Sequence, residues 1–224
     1  MKGNSVMSLG GVCSIILGVI TLLIGITYLL LPPEQKLGIK AVDLLPSFSA
    51  NPTLLTLQSL ELALAGVFGL AVVPAVAQLT DPVNEGWSRW VGTLAYVGFG
   101  VAAVSNMIVV ARLPGIAAAF VAGDAATKAA LAPVWRSTLD WQGIWQYGAI
   151  GVWYLVASLL LLRGNKLSKP FNYLGVVAAI VTLLVPLAFI IKVPVLFTVV
   201  AIAGGVLGVV WYIWLGLQLR KQTA

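Results

Sequence analysis

Chemistry in a protein needs side chains that carry or exchange charge, and this sequence places one of them where charge is most costly. In "LQSLELALAGVFGL", residues 57–70, Glu61 stands in an apolar run, with no other charge nearer than Asp43 and Asp81. At 1.5 Å per residue it lies about 10 Å inside that run. A carboxylate at such depth is costly unless it is neutral or paired. The only cations placed to reach it are Arg112 and Lys192, at the ends of other apolar runs. Three readings follow: a neutral Glu61 hydrogen-bonded between helices as glue, a proton- or cation-responsive site in a polar pocket, or a lipid-facing side chain that snorkels to the interface. Counted from the same membrane face, Gln58, Asn106, Gln146, Tyr147, Thr27 and Tyr28 fall at the same level. The candidate intramembrane polar layer is therefore Glu61, Gln58, Asn106, Gln146, Tyr147 and Tyr28, with Asn106 and Gln146 the expected partners of Glu61.

Other reactive groups are scarce. The chain has no histidine, which removes the usual ligand for haem, chlorophyll-type magnesium and zinc, and the usual general base. Cys13 is the single cysteine, so neither an intrachain disulfide nor a thiolate cluster can form. It is expected to pack as a small apolar residue. Every lysine falls in a loop, in a tail or at the end of an apolar run, which argues against a retinal Schiff base. No run carries paired aspartates, a serine–lysine arrangement or a metal-ligand set. The expectation is a chain with no catalytic, cofactor-binding or metal residues, no cofactor and no enzymatic activity.

The elements that must position these residues follow from composition. The chain is 60% hydrophobic and 9% charged, against roughly 25% charged in soluble domains, and its mean hydropathy is +1.03. Six apolar runs, at about 11–31, 54–77, 91–112, 143–163, 171–191 and 196–219, each approach the roughly 20 residues a membrane helix needs. Strands would be shorter and would alternate. These runs predict an all-α integral membrane protein, one domain over 1–224, built as a bundle of six transmembrane helices. The first run is too long for a signal peptide and no small-residue cleavage site follows it, so it is expected to be retained. The net charge of +6 suits anionic lipid headgroups. With no basic cluster interleaved with exposed aromatics, nucleic acid is not an expected partner.

Six spans put both termini on one side. The basic turn "RGNKLSK" and the tail "LRKQTA" sit right at span ends, which favours cytoplasmic termini in a bacterial cytoplasmic membrane. The opposite face then carries two long loops, about 32–53 and 114–143. Within the second, an alanine-rich interfacial helix is expected over 116–131, started by Pro114 and ended by Pro133. Gly11, Gly18 and Gly25 repeat every seven residues on one helix face, and Gly204 and Gly208 form a GxxxG pair. Such faces permit close helix packing, association with other membrane-protein subunits or self-association. Trp87, Trp90, Trp135, Trp141 and Trp145 lie where interface anchors lie. Pro74 and Pro186 fall inside spans, where they free backbone carbonyls. A faint tandem repeat aligns Gly66 with Gly151 and "AYVGFGVAAV" with "NYLGVVAAIV".

The order of these features, a glutamate near the start of "LQSLELALAGVFGLAVVPAVAQL", then "NEGWSRWVGTLAYVGFGVAAV", an alanine-rich loop, "WYLVASLLLLRGNKLSKPFNYLGVVAAI" and a closing "WYIWLGLQLRKQ", resembles a broad family of bacterial six-span membrane proteins known by a domain-of-unknown-function label. The resemblance covers nearly the whole chain. It implies a fold and no activity. Members often carry a histidine or arginine in the turn after the second span, where this chain reads "TDPVNEG". The functional expectation is a non-catalytic structural or accessory subunit of a membrane assembly. The alternative is a small proton- or cation-linked transporter or channel using Glu61.

Overall fold

The computed structural model describes residues 2–36, 39–135, 140, 143–191 and 193–222. Of these, 89% are helical and none is in a strand, so the protein is all-α. The helices are α1 (Lys2–Leu30), α2 (Ala41–Ala50), α3 (Thr53–Thr80), α4 (Glu85–Ala122), α5 (Ala125–Val134), α6 (Ile144–Gly164), α7 (Lys169–Ile190) and α8 (Pro194–Lys221), with a 3₁₀ turn at Pro33–Gln35. Six of them, α1, α3, α4, α6, α7 and α8, are long and apolar enough to cross a membrane. Large apolar side chains stand out from the bundle along these helices, among them Leu29, Val67, Val199 and Val206, each more than half exposed. Such a surface is stable against lipid and unstable against water.

The six spans pack pairwise in the order α1, α3, α4, α6, α7, α8, and α8 returns to α1. Neighbours in the ring are antiparallel. The termini and short turns lie on one face, called here the terminus face, and the long connections lie on the loop face. Six helices spaced about 8–10 Å apart leave a hole at the centre of their ring nearly as wide as a helix. Contact between α3 and α6 pinches it, and large side chains fill its terminus-side half. Trp153, Tyr154, Phe171, Trp211 and Tyr212 are all buried there. The Trp211 ring stacks on Phe171 at 5.5 Å and meets Trp153 edge-on at 6.0 Å. Edge-on and offset contacts of this kind add to the area the rings bury.

The seam between α1 and α8 depends on two of the heptad-spaced glycines. A side chain on Gly11 would strike Arg220 at 2.8 Å, and one on Gly18 would strike Ile213 at 2.6 Å. Gly25, on the same face, would meet nothing within 4 Å, nor would Gly205 across the seam. Gly11 and Gly18 therefore carry the tight glycine contacts of this seam, and Gly25 does not. Gly204 and Gly208 make no tight contact within the chain: a side chain there would lie 3.5 Å from Val181 and 3.8 Å from Thr21. The aligned glycines of the faint repeat hold corresponding places. Gly66 admits the backbone of α4 to α3, and Gly151 admits Leu183 of α7 to α6. Gly98 and Gly175 then each meet the next helix in the ring, at Ile150 and Trp211.

The loop face differs from the expectation. Helix α4 does not stop near residue 112. It runs through Pro114 to Ala122, 38 residues in all, about 57 Å at 1.5 Å per residue, so its last turns stand beyond the hydrocarbon. An internal proline costs about 3 kcal/mol. Here it is offset because Leu113, Ala117 and Phe120 continue the helical stripe and bury against Ala41, Leu44, Leu45 and Phe48 of α2. The expected single helix over 116–131 is therefore two pieces. The break is Gly123–Asp124, where the Asp124 carboxylate accepts the Thr127 backbone N–H at 2.8 Å and starts α5. That bond holds the Asp124 carboxyl below the usual carboxylate range. Pro133 lies inside the last turn of α5 rather than after it. Trp135, expected as an interface anchor, is 5% exposed and belongs to this cap. Trp87, Trp90 and Trp145 are half exposed at span ends, and Trp141 lies outside the described residues.

Candidate functional site

The centre of the ring is filled on the terminus side and hollow on the loop side. A cavity of about 140 Å³ lies beneath the cap. All six spans touch it: Tyr28 from α1, Gln58 from α3, Asn106 from α4, Gln146 and Tyr147 from α6, Phe189 from α7 and Phe197 from α8. Its roof is the 3₁₀ turn, α2 and Trp135. Gln35 ties that roof together, donating from Nε2 to Ser47 Oγ at 3.2 Å and to the Asn51 carbonyl at 3.0 Å. Its Oε1 is buried with no partner among the described residues.

Helix α6 is anchored at this level by its own start. Asp140 accepts the backbone N–H of Gln146 at 2.7 Å and of Trp145 at 3.2 Å, a carboxylate meeting the unpaired donors and positive end of a helix. Gly143 has φ 66°, in the left-handed region. A side chain on it would collide with the Tyr147 ring at 2.5 Å. Glycine there thus turns the chain and leaves room for Tyr147 against the cavity.

Five of the six residues of the candidate layer, Tyr28, Gln58, Asn106, Gln146 and Tyr147, line this cavity. Glu61 does not. It is 7% exposed and turns towards α1, where Thr27 Oγ1 donates to its Oε1 at 3.1 Å. Its Oε2 is buried with no partner among the described residues. The expected bonds from Asn106 and Gln146 are not formed. Asn106 Nδ2 instead donates to the Ala102 carbonyl one turn back on its own helix, at 2.8 Å. The helical repeat explains the difference: Gln58 and Leu62 face the ring centre, and Glu61 is rotated from both towards the α1 neighbour. Arg112 lines the cavity and is itself exposed, so the cavity reaches the surface there. Lys36 lines it as well, with Nζ 5.8 Å from the Tyr28 ring centroid. Lys192 lies outside the described residues.

Sequence reading missed a second polar group. Ser158 Oγ, Trp211 Nε1 and Asn172 Oδ1 are buried in the terminus-side core with no hydrogen-bond partner among the described residues, and the Tyr154 ring is buried there beside Tyr212, 5.4 Å between centroids. Ser158 Oγ and Trp211 Nε1 both border Gly175. Only Gly175, a small residue facing Trp211, could have hinted at them. Cys13 is buried and free, packed with the apolar core.

A closed ring of six apolar helices with a capped, mixed-polarity cavity defines a membrane-embedded helical bundle. The chain belongs to the DUF4386 family, a domain of unknown function, whose model matches residues 9–217. No curated protein and no solved structure matches it.

Proposed function

We propose that this protein is a non-catalytic accessory component of the membrane that receives a small molecule in the cavity beneath its loop-face cap. The observation that carries the reading is the cavity itself, which every span helps to line and which the Trp153–Trp211–Phe171 packing closes below. A blind chamber suits holding a molecule better than passing one. An accessory role draws support from α8, which offers Val199, Ile202, Val206 and Val210 to its surroundings. The compact basic turn and tail of the terminus face support cytoplasmic termini, in a bacterial cytoplasmic membrane.

The test is the molecule that stays bound. Chain purified in mild detergent is expected to release a small molecule in stoichiometric amount on denaturation. Ser105→Phe, which fills the cavity from α4, is expected to remove it. Equal small-molecule content in the two chains would overturn the reading. A transporter reading rests on the Glu61–Thr27 pair, one helical turn from Gln58 in the cavity wall. It requires proton- or cation-dependent flux in liposomes holding this chain alone; the accessory reading predicts none.

A further inference from the structure

The chemistry of the cavity wall changes with depth. At the mouth stand two cations, Arg112 and Lys36, and among the described residues neither pairs with a carboxylate. The carboxylate that shares this cavity, Asp140, already accepts two backbone N–H groups. The mouth therefore has positive charge to offer. The middle is aromatic, with Tyr28, Tyr147, Phe189 and Phe197 around it. Deeper in, Gln58 and Ser105 line the wall at 9% and 6% exposure. Both lie on the inner faces of their helices, α3 and α4, where they line the cavity. An amide and a hydroxyl lining a cavity offer hydrogen bonds to whatever occupies it.

Length and volume narrow the occupant. Arg112 and Ser105 are seven residues apart on α4, two turns and about 10 Å along the axis. The inward reach of the arginine shortens that to about one ring with a substituent at each end. The volume, about 140 Å³, is close to that of an engineered cavity of about 150 Å³ that accepts benzene. A long acyl chain does not fit it.

We propose that the cavity binds a compact aromatic carboxylate bearing a hydrogen-bonding group opposite the acid. The acid meets Arg112 and Lys36, the ring lies among Tyr28, Tyr147, Phe189 and Phe197, and the far group pairs with Gln58 and Ser105. This rests on the cavity-binding reading above and names its ligand class. Arginine suits the role because its planar donors match a carboxylate in two parallel bonds.

The probe is radiolabelled 4-hydroxybenzoate in equilibrium dialysis against the full chain in lipid nanodiscs. Saturable binding of one molecule per chain is expected. Arg112→Gln should weaken it at least tenfold, and Gln58→Leu severalfold. The neutral methyl ester and octanoate should each bind at least tenfold more weakly. Arg112→Lys keeps the charge without the fork and should fall between the parent and Arg112→Gln, which keeps the test open if the glutamine variant folds poorly. Equal binding of the methyl ester, or indifference to Arg112→Gln, would overturn the acidic class. Tighter binding of octanoate would overturn the aromatic one. Those outcomes leave the cavity-binding reading standing, because it is judged separately by the molecule released from parent and Ser105→Phe chains. No binding of either benzoate overturns the proposal outright.

Discussion

Replacing Glu61 by leucine should not weaken the bundle. Among the described residues the carboxyl accepts one hydrogen bond, from Thr27 at 3.1 Å, and buries a second oxygen that accepts none. Interhelical hydrogen bonds in membranes average about 0.6 kcal/mol, and net values seldom exceed about 1.5 kcal/mol. Thr27 is not stranded by the change, because its hydroxyl can turn to the Leu23 carbonyl one turn back. Against that small loss stands the relief of a buried unpaired oxygen, about 1–3 kcal/mol. The balance lies between neutral and about 2 kcal/mol in favour of Glu61→Leu. At about 2–4 °C per kcal/mol for a chain of this size, melting in detergent should stay level or rise by a few degrees. Thr27→Val should do the opposite in the parent, since it leaves both carboxyl oxygens unpaired, and should be near neutral in the Glu61→Leu background. Glu61→Gln keeps the acceptor and should be mild. The assay is tryptophan fluorescence on heating, read as a double-mutant cycle. A drop of several degrees for Glu61→Leu with no effect of Thr27→Val would refute this reasoning, and would mean that Glu61 leans on a cation. A level or raised melt would mean that the carboxyl is retained for something other than stability.

Further outcomes follow from packing. Gly66→Ala places a methyl 2.5 Å from the Phe99 carbonyl and 2.6 Å from the Ala103 nitrogen. Backbone on α4 cannot yield cheaply, so a loss of about 1–3 kcal/mol is expected and should lower the detergent melt. Gly25→Ala and Gly205→Ala meet open space and should leave the melt unchanged. Phe48→Ala empties the centre of the cap, where Phe48 is 2% exposed, at about 3–5 kcal/mol; hydrogen exchange should rise in 41–50 and 113–120 and not in α7. Asp124→Ala removes the cap of α5 and should speed amide exchange at its start. The same loss should appear in the parent as pH falls: the depressed Asp124 carboxyl supports the cap above the ordinary carboxylate range, and that support disappears on protonation.

The spans were readable because lipid imposes a requirement that composition alone reveals: long apolar runs with no place for unpaired backbone. Their ends were less so. The passage of α4 through Pro114 depended on an apolar stripe at 113, 117 and 120 meeting a stripe at 41, 44, 45 and 48, and neither is visible until the other is in place. The second stripe was there to be found, since its spacing is helical, but it lay inside a proline-flanked loop. The Gly123–Asp124 break carried a capping signal that the surrounding alanines obscured. In the candidate layer, depth was legible from counting residues, while azimuth was not. Counting put Glu61 level with Gln58, Asn106 and Gln146. Which side of α3 faces the ring centre was fixed only by packing, and packing turned Glu61 to Thr27. The aromatic core was invisible because Trp153 and Trp211, read in sequence, are as compatible with lipid as with each other.

The central claim is a chamber open to the loop face and closed to the terminus face. Ser105→Cys in a Cys13→Ser background, reconstituted in liposomes, tests it with a small charged thiol reagent that does not cross the bilayer. Asp43→Cys and Lys166→Cys mark the two faces. Ser105→Cys should react when the reagent is on the Asp43 side and stay unreacted when it is on the Lys166 side. Reaction from both sides would mean a continuous path through the bundle, and reaction from neither would mean that no accessible chamber exists.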